Sequence, residues 1–299
     1  MGVRKFLSLL TVATVVVLAV VVWFYPSGED FRTDNPLWNG LRRLSGELSA
    51  TRLDSFDDLP SSPVGTALVV IPCFEFDEWE VDALDDFVTR GGTLIVLDDY
   101  GHGNDILGYL GLEAAFTQGT LLDPVFNYKN SRFPRITHFE QPALGVDVES
   151  IVLNHATTLE GVLESEVLAW SSRFSFLDLD HNSSWDDGEQ KGPLPVAAAL
   201  RVNTGCVVLV SDPSILINSM EGMDNNQAFV ESIARIQYAE PETIIDQTHL
   251  LGTALDQAKG TLAAIREGLA SSTGTLLLVV AMLVTVLSPL WRGKGRSDV

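Results

Sequence analysis

Cysteine is nearly absent: Cys73 and Cys206 are the only two in 299 residues. So few cannot form the disulfide framework on which small secreted domains depend. Both lie in or beside apolar runs, where a free thiol behaves as a small hydrophobe, so both read as unpaired core residues. Basic residues are scarce too. With 19 Lys and Arg against 40 Asp and Glu, the formal charge is −21, which argues against a nucleic-acid partner and against adhesion to anionic lipid. Such a balance suits cation binding or a salty exterior, and the excess of Arg over Lys is compatible with an origin in haloarchaea. Catalytic signatures are also missing. There is no zincin, Walker or dinucleotide-binding motif, and Gly101-His102-Gly103 is too short for a phosphate loop. Cys73 lacks the G-x-C-x-G or G-x-S-x-G surround of a nucleophile elbow. The expectation is a protein that is not an enzyme.

What the chain has in excess is uncharged apolar sequence at both ends. A mean hydropathy of +0.18 is out of keeping with so acidic a protein unless apolar residues are concentrated somewhere. Residues 6–25 and 268–291 contain no charged side chain, and each run is long enough to cross about 30 Å of hydrocarbon as a helix. The first exceeds a signal-peptide core and ends in Trp23, Phe24, Tyr25 and Pro26, with no small-residue cleavage site. Trp23, Tyr25 and Trp291 stand where interfacial aromatics belong, and the short basic flanks, Arg4 and Lys5 before one run and Arg292, Lys294 and Arg296 after the other, predict cytoplasmic termini. The expected organisation is a cytoplasmic stretch 1–5, a transmembrane helix 6–25, an extracytoplasmic domain 26–267, a second transmembrane helix 268–291 and a basic cytoplasmic tail 292–299. This describes a multi-pass protein of the cell membrane, with the lipid bilayer as its first partner.

Between the two runs the pattern alternates. Residues 67–72 (ALVVIP) and 93–97 (TLIVL) read as buried strands, and residues 78–89 between them as an amphipathic helix with Trp79, Val81, Leu84, Phe87 and Val88 on roughly one face. Gly91 and Gly92 offer the left-handed C-cap. A further helix is predicted after Gly103, capped by Asn104 or Asp105. Residues 206–210 form a third apolar strand, followed by a helix around 227–236. The expected fold class is α/β, with these strands side by side in a mainly parallel sheet joined by helical crossovers.

Ligands of an open α/β sheet bind beyond the carboxyl ends of its strands. The candidates there are Asp98, Asp99, His102 and Asn104 after one strand and Asp212 and Ser214 after another. Each is also an ordinary turn or capping residue. Cys73, after the 67–72 strand, could serve a hydrolase if His102, His138, His155 or His249 activated it.

One spacing is more specific. In residues 178–189 (DLDHNSSWDDGE), Asp178, Asp180, Asn182, Ser184, Asp186 and Glu189 occupy positions 1, 3, 5, 7, 9 and 12 of a twelve-residue calcium loop, with Ser184 contributing its backbone carbonyl. Ca²⁺ is therefore the expected cofactor. Position 6 departs from the pattern, because Ser183 replaces the glycine of the sharp turn, and the flanks read as extended where an EF-hand has helices.

The segments DNPLWNG, FVTRGGTLIVLDDYGHGN, DLDHNSSWDDGEQKGPLPVAA and VVLVSDPSILINSM followed by Asp224, Asn225 and Asn226 together resemble the DUF4350 family. That resemblance implies a degenerate fold similar to class I glutamine amidotransferases and to the extracytoplasmic domains of gliding-type ABC transporters. It also implies a binding or scaffolding role beside MoxR-type ATPase systems or ABC transporter components. A carboxylate, not a nucleophile, follows Leu97, in keeping with a non-catalytic domain.

Overall fold

Thr66–Val70, Thr93–Leu97 and Gly205–Val210 are apolar runs of strand length in which every residue is buried. Such runs need cover on both faces. In the computed structural model, which describes residues 3–140, 144, 148–271, 273–276, 280 and 283, these strands lie side by side and parallel, as expected. Leu68 faces Leu94, and Val208 faces Ile95. The full sheet has eight strands in the order Thr51–Leu53, Glu242–Asp246, Thr66–Val70, Thr93–Leu97, Gly205–Val210, Pro195–Val202, Val167–Trp170, His138–Phe139. The first five run parallel and the last three pair antiparallel. The protein is thus mixed α/β around a large, mainly parallel sheet. Glu242–Asp246, which sequence reading passed over, inserts beside Thr66–Val70.

Side-chain alternation along the strands divides the core in two. Leu94, Val96, Val207 and Leu209 pack with Val81, Leu84, Phe87 and Val88 of the helix Glu78–Thr89. Ile95, Leu97, Val208 and Val210 pack with Phe229, Val230 and Ile233 of the helix Asn226–Ala234. Helix Glu78–Thr89 keeps its predicted bounds, with Asp77 and Glu80 forming a capping box and Gly91 left-handed at φ +106°. Trp79 departs from its predicted face: it is 48% exposed and touches Phe56 only edge-on. The next helix, Gly103–Tyr109, is headed by His102 and not by Asn104 or Asp105, because Asn104 spends its side chain elsewhere.

The chain divides into two compact units, Pro26–Leu251, which holds the sheet, and Met1–Tyr25 with Gly252–Val299. In the second unit, the helix Val3–Phe24 has no buried residue and is long and apolar enough to cross a membrane. A second helix, Ala254–Ala270, is capped by Thr253, whose N and Oγ1 donate to Asp256 Oδ2 at 2.9 and 2.7 Å. It carries charged residues and sets the Arg266 guanidinium 5.7 Å from the Trp23 ring centroid. The predicted span 268–291 lies for the most part outside the described residues.

Candidate functional site

The carboxyl ends of the parallel strands place Cys73, Asp98, Asp99 and Asp212 close enough for their charges to act on one another. By alternation, Asp99 and Asp212 follow Leu97 and Val210 onto opposite pleats from Asp98. Asp98 is 5% exposed and its carboxylate is closed on the turn: Gly101 N donates to Oδ1 and Gly103 N to Oδ2, both at 2.7 Å. A Cβ at Gly101 would meet Asp98 Oδ1 at 2.7 Å, and one at Gly103 would meet Oδ2 at 2.6 Å. The glycines of the DDYGHGN segment thus exist to let the backbone wrap a carboxylate.

The remaining candidates are used in the same way. His102 Nδ1 lies 3.0 Å from Asp105 Oδ2 within its own turn. Asn104 donates from Nδ2 to Phe116 O at 2.9 Å and accepts from Phe116 N at 2.7 Å, fixing a neighbouring strand. Asp212 is fully buried and accepts from Asn154 N at 2.6 Å and Ser214 N at 2.7 Å, so Ser214 acts through its backbone as part of that cap. Burial pushes Asp212 up to about 8 and Asp99 up to about 6, and each carboxylate beside them adds to the rise. A cavity of about 220 Å³ is lined by Asp98, Asp99, Tyr100, Asn104, Phe116 and Thr117, but not by His102, Asp212 or Ser214. The larger groove, about 870 Å³, lies toward the amino end of the strands near Cys206, away from these residues.

Cys73 and Cys206 are both free thiols. Burial, then the charges of Asp98, Asp99 and Asp30, pushes the Cys73 thiol up to about 11. A thiol so placed is overwhelmingly protonated at neutral pH, which is the reverse of an activated nucleophile. Among the described residues none of the four histidines is hydrogen-bonded to that thiol, although His102 N donates to Pro72 O beside it at 2.9 Å. His249 is instead held between two carboxylates, with Nδ1 2.8 Å from Asp246 Oδ2 and Nε2 3.2 Å from Glu80 Oε2. His155 accompanies Asn154, its Nδ1 2.7 Å from Asn154 Oδ1.

The loop after the strand Phe176–Asp178 gathers a cluster of acids. Oxygens of Asp178, Asp180 and Glu189 lie within 4.8 Å of one another. Asp178 is 1% exposed and accepts from Asn182 N and Ser183 N, each at 3.1 Å. Glu189 reaches back across the loop to accept from Leu179 N at 2.8 Å and Asp186 N at 3.1 Å. Asn182 Nδ2 bridges Asp180 at 2.9 Å and Asp186. Ser183, at the position where the loop pattern wants glycine, has φ +63°. The flanks are extended, as read from the sequence, with Phe176–Asp178 pairing with Thr120–Leu122. The donor set is all oxygen with several carboxylates, which fits a hard cation such as Ca²⁺. Ser184 contributes no side-chain contact here; its N donates to Asn182 Oδ1 at 2.7 Å.

No curated protein sequence matches this chain. Among solved structures it is similar to the mmIFT52 N-terminal domain, with 12% identity and TM-score 0.49, covering 70% of this chain and 93% of that one. A ThuA-like protein from Bacteroides uniformis gives 12% identity and TM-score 0.38 over 64% and 77% of the two chains. A beta-galactosidase from Bacillus circulans sp. alkalophilus gives 13% and 0.36, over 59% of this chain and 23% of that one. The profile of DUF4350, a domain of unknown function, matches residues 33–234, more than half of the sequence, and the chain belongs to the DUF4350 family.

Proposed function

We propose that this protein is a membrane-anchored, non-catalytic binding or scaffold domain on the outer face of the membrane, organised around a calcium loop at residues 178–189. The observation that carries the reading is the convergence of Asp178, Asp180 and Glu189 oxygens within 4.8 Å, on a loop whose sixth position is left-handed. Like charges so close repel, and a divalent cation relieves the repulsion. Binding would turn the Asn182 amide so that its oxygen, and not its NH₂, faces the ion, freeing Asp180 and Asp186 to ligate. Asp178, Asp180, Asn182, Asp186 and Glu189 would then supply side-chain oxygens and Ser184 its carbonyl.

The non-catalytic part of the reading draws on the strand ends, where the candidate side chains are spent on backbone N–H groups and the Cys73 thiol is pushed up to about 11. The anchor is the helix Val3–Phe24. The amidotransferase-like ancestry, the outward orientation, and partnership with a MoxR-type ATPase system or ABC export components belong to the same proposal. Isolation from native membranes in mild detergent should bring such a complex with it.

Calcium titration followed by thermal unfolding tests the loop. Mass action requires the melting temperature to rise with Ca²⁺, and the titration must reach about 10⁻³ M, the weak end for extracellular sites. Glu189→Gln should remove most of the rise. An equal rise with Mg²⁺, or one that survives Glu189→Gln combined with Asp178→Asn, would reduce the loop to an acidic surface turn. A second reading, an amidase-like hydrolase, is favoured only by two carboxylates, the half-buried Asp99 and the buried Asp212, whose protons are held to about 6 and about 8. Turnover of an amide substrate that is lost in Asp212→Asn would support it.

A further inference from the structure

In the segment 34–40 (DNPLWNG), where Asp34 is exposed, both asparagines are buried and the apolar residues are exposed. Asn35 and Asn39 are buried, whereas Leu37 is 49% and Trp38 67% exposed. This exposure is enforced. Asn35 Oδ1 accepts from Leu37 N at 2.8 Å, and Asn35 Nδ2 donates to Glu29 O at 2.7 Å and Asn39 Oδ1 at 3.1 Å. Asn39 Nδ2 donates to Gly28 O at 3.0 Å and to Asp30. From the other side, Asn218 Nδ2 donates to Asn35 O at 3.1 Å and Leu37 O at 2.6 Å, and Ser219 N donates to Trp38 O at 3.0 Å. Gly40 closes the loop, since a Cβ there would lie 2.0 Å from Asn35 O.

The loop stands where the chain enters and leaves this unit. Pro26 is the unit's first residue and Leu251 its last. Arg32 joins the two ends, donating from Nε and Nη2 to Leu251 O at 3.2 and 3.1 Å and from Nη1 to Gln247 O at 3.0 Å. Leu41 N donates to Arg32 O and Phe31 N to Asn39 O, both at 3.0 Å, so the loop is pinned to that junction. Arg42 and Arg43 follow at once, both exposed, Arg43 with Nη1 3.7 Å from Glu221 Oε2, and share a groove with Pro36 and Glu47.

We propose that Leu37 and Trp38 dock into the interfacial layer of the bilayer that holds the helix Val3–Phe24, with Arg42 and Arg43 meeting lipid phosphates. This rests on that helix being a membrane span. An indole suits that depth because its ring is apolar while its N–H still finds partners. A loop already rigid loses little freedom on docking. Zwitterionic lipid suits the site, since anionic headgroups would repel so acidic a domain.

The test uses the full-length protein in phosphatidylcholine nanodiscs, with and without lipid brominated near the glycerol end of its acyl chains. Tryptophan emission is compared among the unaltered protein, Trp38→Phe and Trp23→Phe, and both substitutions fall at partly or largely exposed positions. The component removed by Trp38→Phe should be quenched by brominated lipid, lie at shorter wavelength than an aqueous indole, and resist iodide. If the Trp23 component is quenched while Trp38 remains open to iodide and indifferent to bromine, the span stands and the docking proposal falls. If Trp23 itself escapes bromine, the span fails and the proposal with it. Protection of Trp38 that appears only when a protein partner is added would also overturn it.

Discussion

His249 Nδ1 lies 2.8 Å from Asp246 Oδ2, and the imidazole is stacked on Phe76 with ring centroids 3.4 Å apart. Through Nε2 the same ring reaches Glu80 at 3.2 Å, and Glu80 caps the helix Glu78–Thr89. One buried side chain therefore ties the end of the strand Glu242–Asp246 to the start of that helix. Burial disfavours its charge, but the hydrogen bond to Asp246 and the charges of Asp246 and Glu80 outweigh it and raise its pKa.

A raised folded pKa means that the native state holds the proton more tightly than the unfolded chain. The stability this contributes is complete below the unfolded value of about 6.5 and is lost as pH rises through the folded value. Thermal unfolding should show stability declining above that pH. His249→Gln, which cannot titrate, should remove that decline and cost about 3 kcal/mol at acidic pH by leaving two carboxylates without their cation. A slope unchanged in the variant would show that another group governs it.

Asp99 is held up to about 6, first by burial and then by Asp98, against about 3.9 for an unfolded aspartate. Its protonated form stabilises the fold below about pH 4, and that stability is lost as pH rises through 6. Asp99→Asn should stabilise the domain by about 1–2 kcal/mol at pH 7–8 and leave it unchanged near pH 4. Melting curves at the two pH values measure both arms.

The Cys73 thiol, near 11, should react only slowly with iodoacetamide at neutral pH, its rate climbing with pH well beyond that of a free thiol at about 8.5. Cys73→Ala should leave any membrane-associated phenotype intact. Fast single-site alkylation at pH 7 would restore the nucleophile reading.

Ser183 has φ +63° in the acidic loop, and its Oγ accepts from Arg132 Nη2 at 3.1 Å. Left-handed backbone costs a residue with a Cβ roughly 1 kcal/mol relative to glycine. Ser183→Gly should therefore tighten Ca²⁺ binding by about three- to fivefold, less whatever the lost Arg132 contact contributes. Calorimetric titration of both forms decides it, and weaker binding in the glycine variant would show that the Arg132 contact matters more than the strain.

The parallel core was legible because its strands are buried on both faces. Such strands need unbroken apolar sequence, and TALVV, TLIVL and GCVVLV carry it. Helix Glu78–Thr89 was legible from its caps and its 3.6-residue period. Trp79 is exposed although it lies on the apolar stripe, because periodicity reports which face is apolar and not where cover ends. Glu242–Asp246 was not legible because its apolar run is only Ile244 and Ile245 between polar residues, and the contacts of His249 with Asp246 and Glu80 were hidden with it.

The order of the acids in residues 178–189, the apolar run 6–25 and the absence of any catalytic motif are properties of the sequence alone, because spacing and hydrophobic length need no partner to be read. Tertiary structure decided the rest. Whether Asp98, Asn104 and Asp212 face a ligand or a backbone N–H depends on which turn folds back over them, and the turns fold back. Whether His249 activates Cys73 depends on which pleat each follows and on the carboxylates nearer to hand. Asp246 and Glu80, 166 residues apart in the chain, claim the histidine because the sheet brings them to it.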